Sequence, residues 1–449
     1  MRKFLTPNLV IVACILSLGA PPARAAIAPK RSILSNGIVL LTSEQKSLPI
    51  VSIEIMIAAG SRYDPTNQEG VANLTARLLT YGTKTRSALD ISDTLDFIGA
   101  NLSASSGDDV ASVNLNVLKK DLPTGLELLA DVLMSAAFPD QEIERQKQSV
   151  LAGIRAREDS PGDIAQKRFA AALYPGSPYG RPVEGTEASV KTIPRESLRE
   201  FYERYYRPNR AIIAVVGDIS HEEISRALGQ YLGAWKPGEA PPPPLVPSTI
   251  GGEQTIRVNK ELTQANIILG HNGIAREDPD YYAVQVMNYI LGGGGFSSRA
   301  MDSIRNQRGL AYSVYSYFGA DRSRGTFQFV MQTKNETAQQ AIRIATEEIR
   351  RMRQELVSDQ ELNDAKDYLI GSFPLRLDTD RRVASFLAQV EYYQLGLDYP
   401  ERYPALIRGV TREDVAQVAK KYLDPERLIV VIVGNQKSID RTQTGSQTP

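Results

Sequence analysis

Side chains that bind transition metals are scarce in this sequence, which has two histidines and one cysteine among 449 residues. The cysteine, Cys14, lies in an N-terminal segment with a basic start, a short apolar run over residues 9–18 and the small-x-small sequence Ala-Arg-Ala at residues 23–25. This pattern predicts a signal peptide, residues 1–25. The mature chain would then contain no cysteine, which excludes disulfides and cysteine metal ligands.

Long apolar runs are also missing. The run at residues 9–18 is shorter than the ~20 residues that a membrane helix needs, and no other long run follows it. We therefore expect a periplasmic or otherwise exported protein without a permanent membrane span. A lipid anchor on Cys14 is the alternative, although the flanking residues 12–13 and 15–16 make a poor lipidation site.

An excess of basic charge is absent as well. Loss of the signal peptide removes Arg2, Lys3 and Arg24 but no acidic residue, which leaves 49 basic and 52 acidic side chains and a net charge of −3. No basic run and no alternation of basic with aromatic residues occurs elsewhere. A nucleic acid is therefore not expected as a partner.

The apolar pattern predicts an α+β fold in two domains. Asn-Gly at residues 36–37 stands between two apolar runs, a hairpin signal, and strand and helix patterns then alternate. The expected domains span residues 29–236 and 251–437. The proline-rich stretch at residues 237–250 predicts a stiff linker, since proline lacks an N–H and fixes φ; a proline-rich recognition ligand is the alternative. Residues 438–449 are expected to form a disordered tail.

The second half of the chain repeats the first. Residues 205–218 match residues 422–435 at a constant offset of 217, with Tyr, Pro, Arg and Gly at coinciding positions around a β-branched run. Residues 140–147 recur at residues 359–366, an offset of 219. Two tandem copies of one fold of about 200 residues explain both matches.

A further motif lies within the C-terminal half. It begins with four consecutive glycines, Gly292, Gly293, Gly294 and Gly295. A short helical pattern then ends at Arg305, and a strand pattern begins near Tyr312, seven positions later. An arginine fork suits a peptide carbonyl, and a phenol can donate beside a developing oxyanion. Arg308 is a possible alternative to Arg305.

This arrangement resembles the M16 metallopeptidases, the family of pitrilysin, insulinase and mitochondrial processing peptidase. The N-terminal half has a similar frame, with Gly-Ser-Arg at residues 60–62, a helical pattern over residues 69–80 and Gly-Thr at residues 82–83. The resemblance implies two homologous M16-type domains, each a mainly antiparallel sheet packed with helices, that enclose a chamber with a second such chain. Arg305 and Tyr312 would hold a peptide there, and the glycine run would be a mobile substrate-binding loop; an ordinary loop is the alternative, since the run is shorter than the family's glycine-rich loop.

The zinc chemistry of that family is missing from this sequence. M16 enzymes carry His-x-x-Glu-His on the first helix and a third ligand, a glutamate, on a later one. The corresponding positions in this chain are Asn73, Ala76, Arg77 and Gly153. Asparagine is a poor zinc ligand, alanine has no base, and arginine would repel the ion. His221 and His271 are expected to face solvent or to be satisfied by neighbouring groups, so a self-sufficient zinc peptidase is excluded.

Two functions follow from the resemblance. The first is the zinc-less, non-catalytic subunit of an exported bacterial M16 heterodimer, with no cofactor in this chain and zinc in the partner subunit. The second is a scaffold or peptide-binding protein without a protease partner. Arg305 and Tyr312 favour the first, because a scaffold without zinc has no chemical need for them.

Overall fold

A computed structural model describes residues 28–239, 242, 253–323 and 325–444. The expected signal peptide and most of the expected linker, residues 237–250, lie outside these ranges, so both assignments stay predictions. Within the described part of the chain, no helix combines the length and the apolar composition that a membrane crossing requires.

A six-stranded sheet forms the N-terminal half, in the order β1-β2-β6-β3-β5-β4. Its strands are β1 (Lys30–Ile33), β2 (Val39–Glu44), β3 (Ile50–Ile57), β4 (Asn101–Ser106), β5 (Ala111–Leu118) and β6 (Ala211–Gly217). The first two form the predicted hairpin, with Ile33 opposite Val39. β2 and β6 run parallel, and the other pairs are antiparallel. β5 alternates buried and half-buried residues, as expected of a strand with one face on a core.

Helices cover one face of this sheet and fill the connections. They are α1 (Val71–Leu78), α2 (Ala88–Ile98), α3 (Leu122–Met134), α4 (Asp140–Asp159), α5 (Pro161–Leu173), α6 (Glu187–Thr192), α7 (Arg195–Tyr205) and α8 (His221–Leu232). The core between helices and sheet is aliphatic: Leu74, Leu129 and Ile213 are fully buried. Burial of this apolar surface stabilises the N-terminal half by about 25 cal/mol for each Å² removed from water.

A five-stranded sheet forms the C-terminal half, in the order β10-β12-β8-β13-β7, beside a short pair of β9 and β11. The strands are β7 (Gln254–Asn259), β8 (Gln264–Asn272), β9 (Ile274–Ala275), β10 (Ala311–Phe318), β11 (Ala320–Asp321), β12 (Thr326–Lys334) and β13 (Ile429–Gly434). The helices are α9 (Tyr281–Asn288), α10 (Ala338–Gln354), α11 (Asp359–Ser372), α12 (Asp380–Tyr392), α13 (Tyr399–Arg408), α14 (Arg412–Tyr422) and α15 (Gln436–Thr444).

The two sheets share one connectivity, which confirms the internal repeat. β2, β6, β3, β5 and β4 of the first sheet correspond in pairing and direction to β7, β13, β8, β12 and β10 of the second. The helix bounds agree with the sequence offsets: α7 and α14 differ by 217 residues at both ends, and α5 and α12 by 219. The chain therefore has the predicted α+β fold with two homologous, mainly antiparallel halves.

Each half places one helix on the sheet of the other. α5, from the N-terminal half, packs on β13 and β8 of the C-terminal sheet, whereas its repeat counterpart α12 packs on β6 and β3 of the N-terminal sheet. Phe169 of α5 is buried against Gly270 of β8, where a Cβ atom would lie 2.7 Å from the Phe169 ring. The two halves therefore share their cores through exchanged helices.

Polar contacts tie α12 to the N-terminal sheet. The Arg31 guanidinium donates from Nε and Nη2 to the two carboxylate oxygens of Glu391, both at 2.9 Å. The Ser385 hydroxyl donates to Glu54 Oε2 at 2.9 Å, and burial raises the pKa of Glu54. Such bidentate and buried pairs fix orientation as well as distance.

The predicted disordered tail is wrong for the described part of that segment. Residues 436–444 form α15, and Ile439 is fully buried in the core of the C-terminal half. The helix begins where the Gln436 amide donates to the carbonyls of Val258 and Gly434. A single buried apolar side chain among polar neighbours gave too weak a pattern for a sequence-based assignment.

Replacement of Phe169 by alanine tests the helix exchange. Because Phe169 is 1% exposed, its truncation should lower the free energy of unfolding by about 3–5 kcal/mol. The measurement is the midpoint of urea unfolding. Phe97→Ala is the control, since Phe97 is 91% exposed and its loss should cost less than about 0.5 kcal/mol. Equal midpoints for the two variants would contradict the packing described.

Candidate functional site: a helix without metal ligands and an arginine–tyrosine pair

Helix α1 begins beside a half-buried carboxylate, Asp64. Asp64 accepts hydrogen bonds from the backbone N–H groups of Gly70 (2.7 Å) and Ala72 (2.8 Å). A negative charge at this place is favourable, because the N-terminus of a helix carries partial positive charge. Burial nevertheless raises the pKa of Asp64 to about 7. Gly70 has φ of +99°, and a Cβ atom there would lie 2.6 Å from the Glu184 carbonyl oxygen. These constraints fix the start of α1 and the direction of its side chains.

One side of α1 carries the positions that correspond to zinc ligands in the resemblance. Asn73 and Arg77 are half-buried, and Ala76 between them is fully buried. Together they offer one amide, one methyl group and one permanent cation. Gly153, on the neighbouring helix α4, has open space around the position of a Cβ atom and adds no donor. A zinc ion does not fit this set of residues.

The described residues contain no group of three or more His, Cys, Asp or Glu side chains that could hold a metal ion. His271 accepts at Nε2 from the Asp424 N–H (3.0 Å), so its Nδ1–H donates to the Asn272 carbonyl (2.7 Å). Burial lowers the pKa of His271, which keeps it neutral. His221 Nδ1 lies 2.9 Å from the Thr42 hydroxyl. Both histidines are satisfied by neighbouring groups, as the sequence predicts.

The structure brings Arg305 and Tyr312 together. Arg305 lies in a π-helical segment, Met301–Asn306, and its guanidinium carbon is 5.4 Å from the centre of the Tyr312 ring. Tyr312 occupies a bulge in β10, because Ala311 and Ser313 pair with adjacent residues of β12. A bulge re-aims a side chain, and Tyr312 is 73% exposed. The two residues therefore form an exposed cation–π pair at the edge of the C-terminal sheet.

Phe296 is a third member of this cluster that the sequence analysis missed. Its ring centre is 5.1 Å from the guanidinium carbon of Arg305, and the side chain is 71% exposed. Arg305 thus contacts two aromatic rings and, within the described residues, no carboxylate. A lone exposed phenylalanine directly after the glycine run was the available signal. We call Phe296, Arg305 and Tyr312 the aromatic–arginine cluster.

Arg308, the alternative arginine, is engaged elsewhere. Its Nη1 donates to the Ser303 carbonyl at 2.7 Å and to Gln307 Oε1 at 3.3 Å. These contacts fasten Arg308 to its own helical segment. Of the two arginines, Arg305 is the one beside Tyr312.

The prediction of a loop through the four glycines is wrong for Gly292 and Gly293. A π-helical segment, Tyr289–Gly293, extends α9, and a 3-10 turn, Gly295–Ser297, follows. Gly292 is buried against the edge strand β10, and a Cβ atom there would lie 2.5 Å from the Ser316 hydroxyl and 2.6 Å from the Ser316 nitrogen. Glycine is needed for this close approach of a helix to a strand edge. The glycine-rich composition is typical of turns, so the sequence did not indicate that Gly292 must be small in order to pack against β10.

The Gly-Ser-Arg sequence at residues 60–62 has a structural role at the junction of the two halves. Arg62 is buried, and its Nη1 donates to Asp109 Oδ1 at 2.5 Å. The same carboxylate accepts from the hydroxyls of Tyr179 (2.6 Å) and Tyr392 (3.3 Å). Since Tyr392 ends α12, this buried network links the N-terminal half to the exchanged helix.

Comparison with known proteins agrees with this architecture. Residues 39–187 match the model of the insulinase family, peptidase family M16, and residues 192–369 match the model described as the peptidase M16 inactive domain. An uncharacterized zinc protease of Streptomyces coelicolor is 30% identical over 416 residues, which cover 90% of this chain and 89% of that protein. The chain belongs to the M16 peptidase family.

Further M16 relatives span the same length. An uncharacterized zinc protease of Mycobacterium tuberculosis is 30% identical over 90% of this chain and 92% of its own length. Among solved structures, a peptidase M16 inactive domain from Pseudomonas fluorescens superimposes with a TM-score of 0.86 and 28% identity, over 91% of this chain and 98% of that one. A protease from Helicobacter pylori shares the fold, with a TM-score of 0.83 and 21% identity.

Two glycine-to-alanine substitutions test the packing of the site. Gly292→Ala should lower the free energy of unfolding by about 1–3 kcal/mol, since the new methyl group meets the backbone of β10. Gly153→Ala is the matched control, because it adds a methyl group to an exposed helix position with open space and should stabilise by about 0.5–1 kcal/mol. Chemical denaturation measures both, and a stabilised Gly292→Ala variant would refute the close approach.

Proposed function

We propose that this chain is the zinc-less subunit of an exported M16 heterodimeric metalloendopeptidase. Its partner would supply the zinc site, and this chain would contribute residues that hold the peptide substrate. The observation that carries the proposal is the separation of two features on one M16 fold. The aromatic–arginine cluster is assembled, while the helix that should hold zinc presents Asn73, Ala76 and Arg77.

The aromatic–arginine cluster is suited to bind an extended peptide. Arg305 has no carboxylate partner among the described residues, so its N–H groups are available to a peptide carbonyl. Tyr312 is exposed and its hydroxyl can donate to a carbonyl oxygen as negative charge develops there. The rings of Phe296 and Tyr312 limit the positions that the guanidinium can take. The cluster therefore offers two hydrogen-bond donors, the Arg305 guanidinium and the Tyr312 hydroxyl, and the aromatic rings partly fix the position of the guanidinium.

Export and association are further parts of the proposal. Residues 1–25 have the features of a signal peptide, which supports a periplasmic or otherwise exported location. The exposed cluster lies beside the edge strand β10, a place that a second chain can reach. The zinc ion would belong to the partner, because no group of His, Cys, Asp and Glu side chains among the described residues fits it.

The purified mature chain should bind no stoichiometric zinc and cleave no peptide. The physical reason is that the degenerate positions on α1 and α4 supply neither three ligands nor a general base. Metal analysis by mass spectrometry and a peptidase assay check this. One tightly held zinc per chain, removed by chelator together with activity, would overturn the proposal.

In a complex with the zinc-bearing partner, Tyr312→Phe should reduce turnover by about 10²-fold, the size of one lost oxyanion donor. The loss should appear in kcat, because the ring and its contact with Arg305 remain. Arg305→Ala should also raise KM, since it removes a contact present before the reaction. Steady-state kinetics on an extended peptide measure these effects.

Arg308→Ala is the matched control for Arg305→Ala. Arg308 bonds to its own segment and should affect kcat and KM by less than twofold, a change of under about 0.4 kcal/mol. If both Arg305→Ala and Tyr312→Phe leave the kinetics of a verified complex unchanged, the cluster has no part in hydrolysis. A scaffold or peptide-binding protein would then describe the chain better.

A further inference from the structure

A cavity of about 400 Å³ lies between α12 and the first residues of α9 and α13. Three arginines line it, Arg276, Arg376 and Arg382, and its wall contains no aspartate or glutamate. Small-molecule sites typically enclose roughly 300–1,000 Å³ and combine an apolar wall with a few convergent polar groups. This cavity has that composition, because five aromatic side chains form much of its wall: Tyr281, Phe373, Phe386, Tyr393 and Tyr399.

Arg276 is a buried cation that no carboxylate of a described residue neutralises. It is 8% exposed, and its guanidinium carbon lies 3.7 Å from the centre of the Tyr281 ring and 5.5 Å from that of Tyr399. Burial raises the pKa of both phenols, which therefore stay neutral and supply no negative charge. Since a buried charge without an opposite charge is costly, an anion in the cavity would be stabilised there.

Part of the Arg276 guanidinium is available to a ligand. Nη2 donates to the Tyr399 hydroxyl at 2.9 Å, and the Tyr282 hydroxyl is a second acceptor. A guanidinium has further N–H donors, and no nitrogen of Arg276 is both enclosed by protein and unpaired. The remaining N–H groups therefore reach open space, and the cavity is the space that Arg276 lines. The backbone N–H of Arg276 donates to the Asp321 carbonyl at 2.8 Å, which fixes the residue beside β11.

Arg376 is a second guanidinium at the same cavity. It lies in a 3-10 turn, Phe373–Leu377, is exposed, and makes no hydrogen bond or ion pair to another described residue. Arg382, in contrast, is neutralised by Asp378, since the Arg382 Nη1 atom lies 2.7 Å from Asp378 Oδ2. The cavity therefore has one buried and one exposed guanidinium without a carboxylate.

We propose that this cavity binds a small organic carboxylate with an aromatic or aliphatic body. The carboxylate would accept from Arg276 and Arg376, because a guanidinium fork matches its two oxygen atoms. The body would lie against the aromatic wall, where its burial removes apolar surface from water. This site shares no residue with the aromatic–arginine cluster and needs neither zinc nor peptide hydrolysis.

Calorimetric titration of the purified mature chain tests this site. The probe is phenylacetate, which carries a carboxylate on an aromatic body, and the matched control is its neutral amide, phenylacetamide. Phenylacetate should bind with a Kd of about 1 mM or below. Phenylacetamide should bind at least about tenfold weaker, because charge-assisted hydrogen bonds are stronger than neutral ones. Phenylacetate binding should also weaken as salt is raised.

Substitutions assign binding to the two guanidinium groups. Arg376→Gln should weaken phenylacetate binding about tenfold and keep the fold, since Arg376 is exposed. Arg276→Gln should abolish binding, and Arg276→Lys should retain part of it, because lysine keeps the charge but lacks the fork. Arg381→Gln is the matched control. Arg381 is an exposed arginine of α12 that does not line this cavity, and its loss should change Kd by less than about twofold.

Further probes identify the source of the carboxylate and the part of the aromatic wall. N-acetylphenylalanine presents a carboxylate and a ring as the C-terminus of a peptide does. Tighter binding of phenylacetate would indicate a free acid and tighter binding of N-acetylphenylalanine a peptide end, and either result supports the site. Acetate and inorganic phosphate lack the apolar body and should bind at least about tenfold weaker than phenylacetate.

Lack of saturable phenylacetate binding, equal affinity for the acid and the amide, or equally tight binding of inorganic phosphate would each overturn the inference. So would an affinity that Arg381→Gln and Arg376→Gln lower to the same extent. If Arg276→Gln does not fold, as shown by its thermal unfolding, the exposed Arg376→Gln variant still decides the question. These outcomes are independent of the kinetic tests on Tyr312 and Arg305.

Discussion

The reciprocal exchange of α5 and α12 between the two sheets is the constraint on which the rest of the structure depends. Each sheet buries part of one face under a helix encoded in the opposite half of the chain. Neither half can therefore complete its core alone, and the apolar surface lost on separation would be exposed to water. The exchange therefore packs the two halves together through α5 and α12.

The duplicated fold carries different chemistry in its two halves. In the N-terminal half, the hydrogen bonds to Asp64 and the positive φ of Gly70 fix the start of α1. Its outward side chains therefore have a defined direction, although none of them is a metal ligand. In the C-terminal half, the buried Gly292 lets a helix approach β10, and the bulge at Tyr312 turns that side chain outward beside Arg305. The same scaffold thus carries the aromatic–arginine cluster in its C-terminal half and the half-buried cation Arg77 on α1 in its N-terminal half.

Much of the fold could be predicted from the sequence. β1 and β2 form the hairpin predicted from Asn-Gly at residues 36–37, and the offset of 217 residues predicted that the second half repeats the first. The residues that the resemblance aligns with zinc ligands lie on helices α1 and α4, as their helical patterns indicate.

Other features depend on contacts between distant segments. The glycine run was predicted to be a loop because the local composition gives no information about the Ser316 backbone, against which Gly292 packs. Phe296 was missed because its role depends on its distance to Arg305, which the local sequence does not record. The helix exchange was also not predicted, since an amphipathic helix does not specify which of two similar sheets it will cover.

The most direct test of the proposed function is a structure of this chain bound to the proposed zinc-bearing partner, with the partner's general base replaced so that a peptide remains bound. We expect the peptide to lie between the chains, with the Tyr312 hydroxyl about 3 Å from a peptide carbonyl oxygen and Arg305 beside it. A peptide held entirely by the partner, with Tyr312 and Arg305 facing bulk solvent, would contradict it.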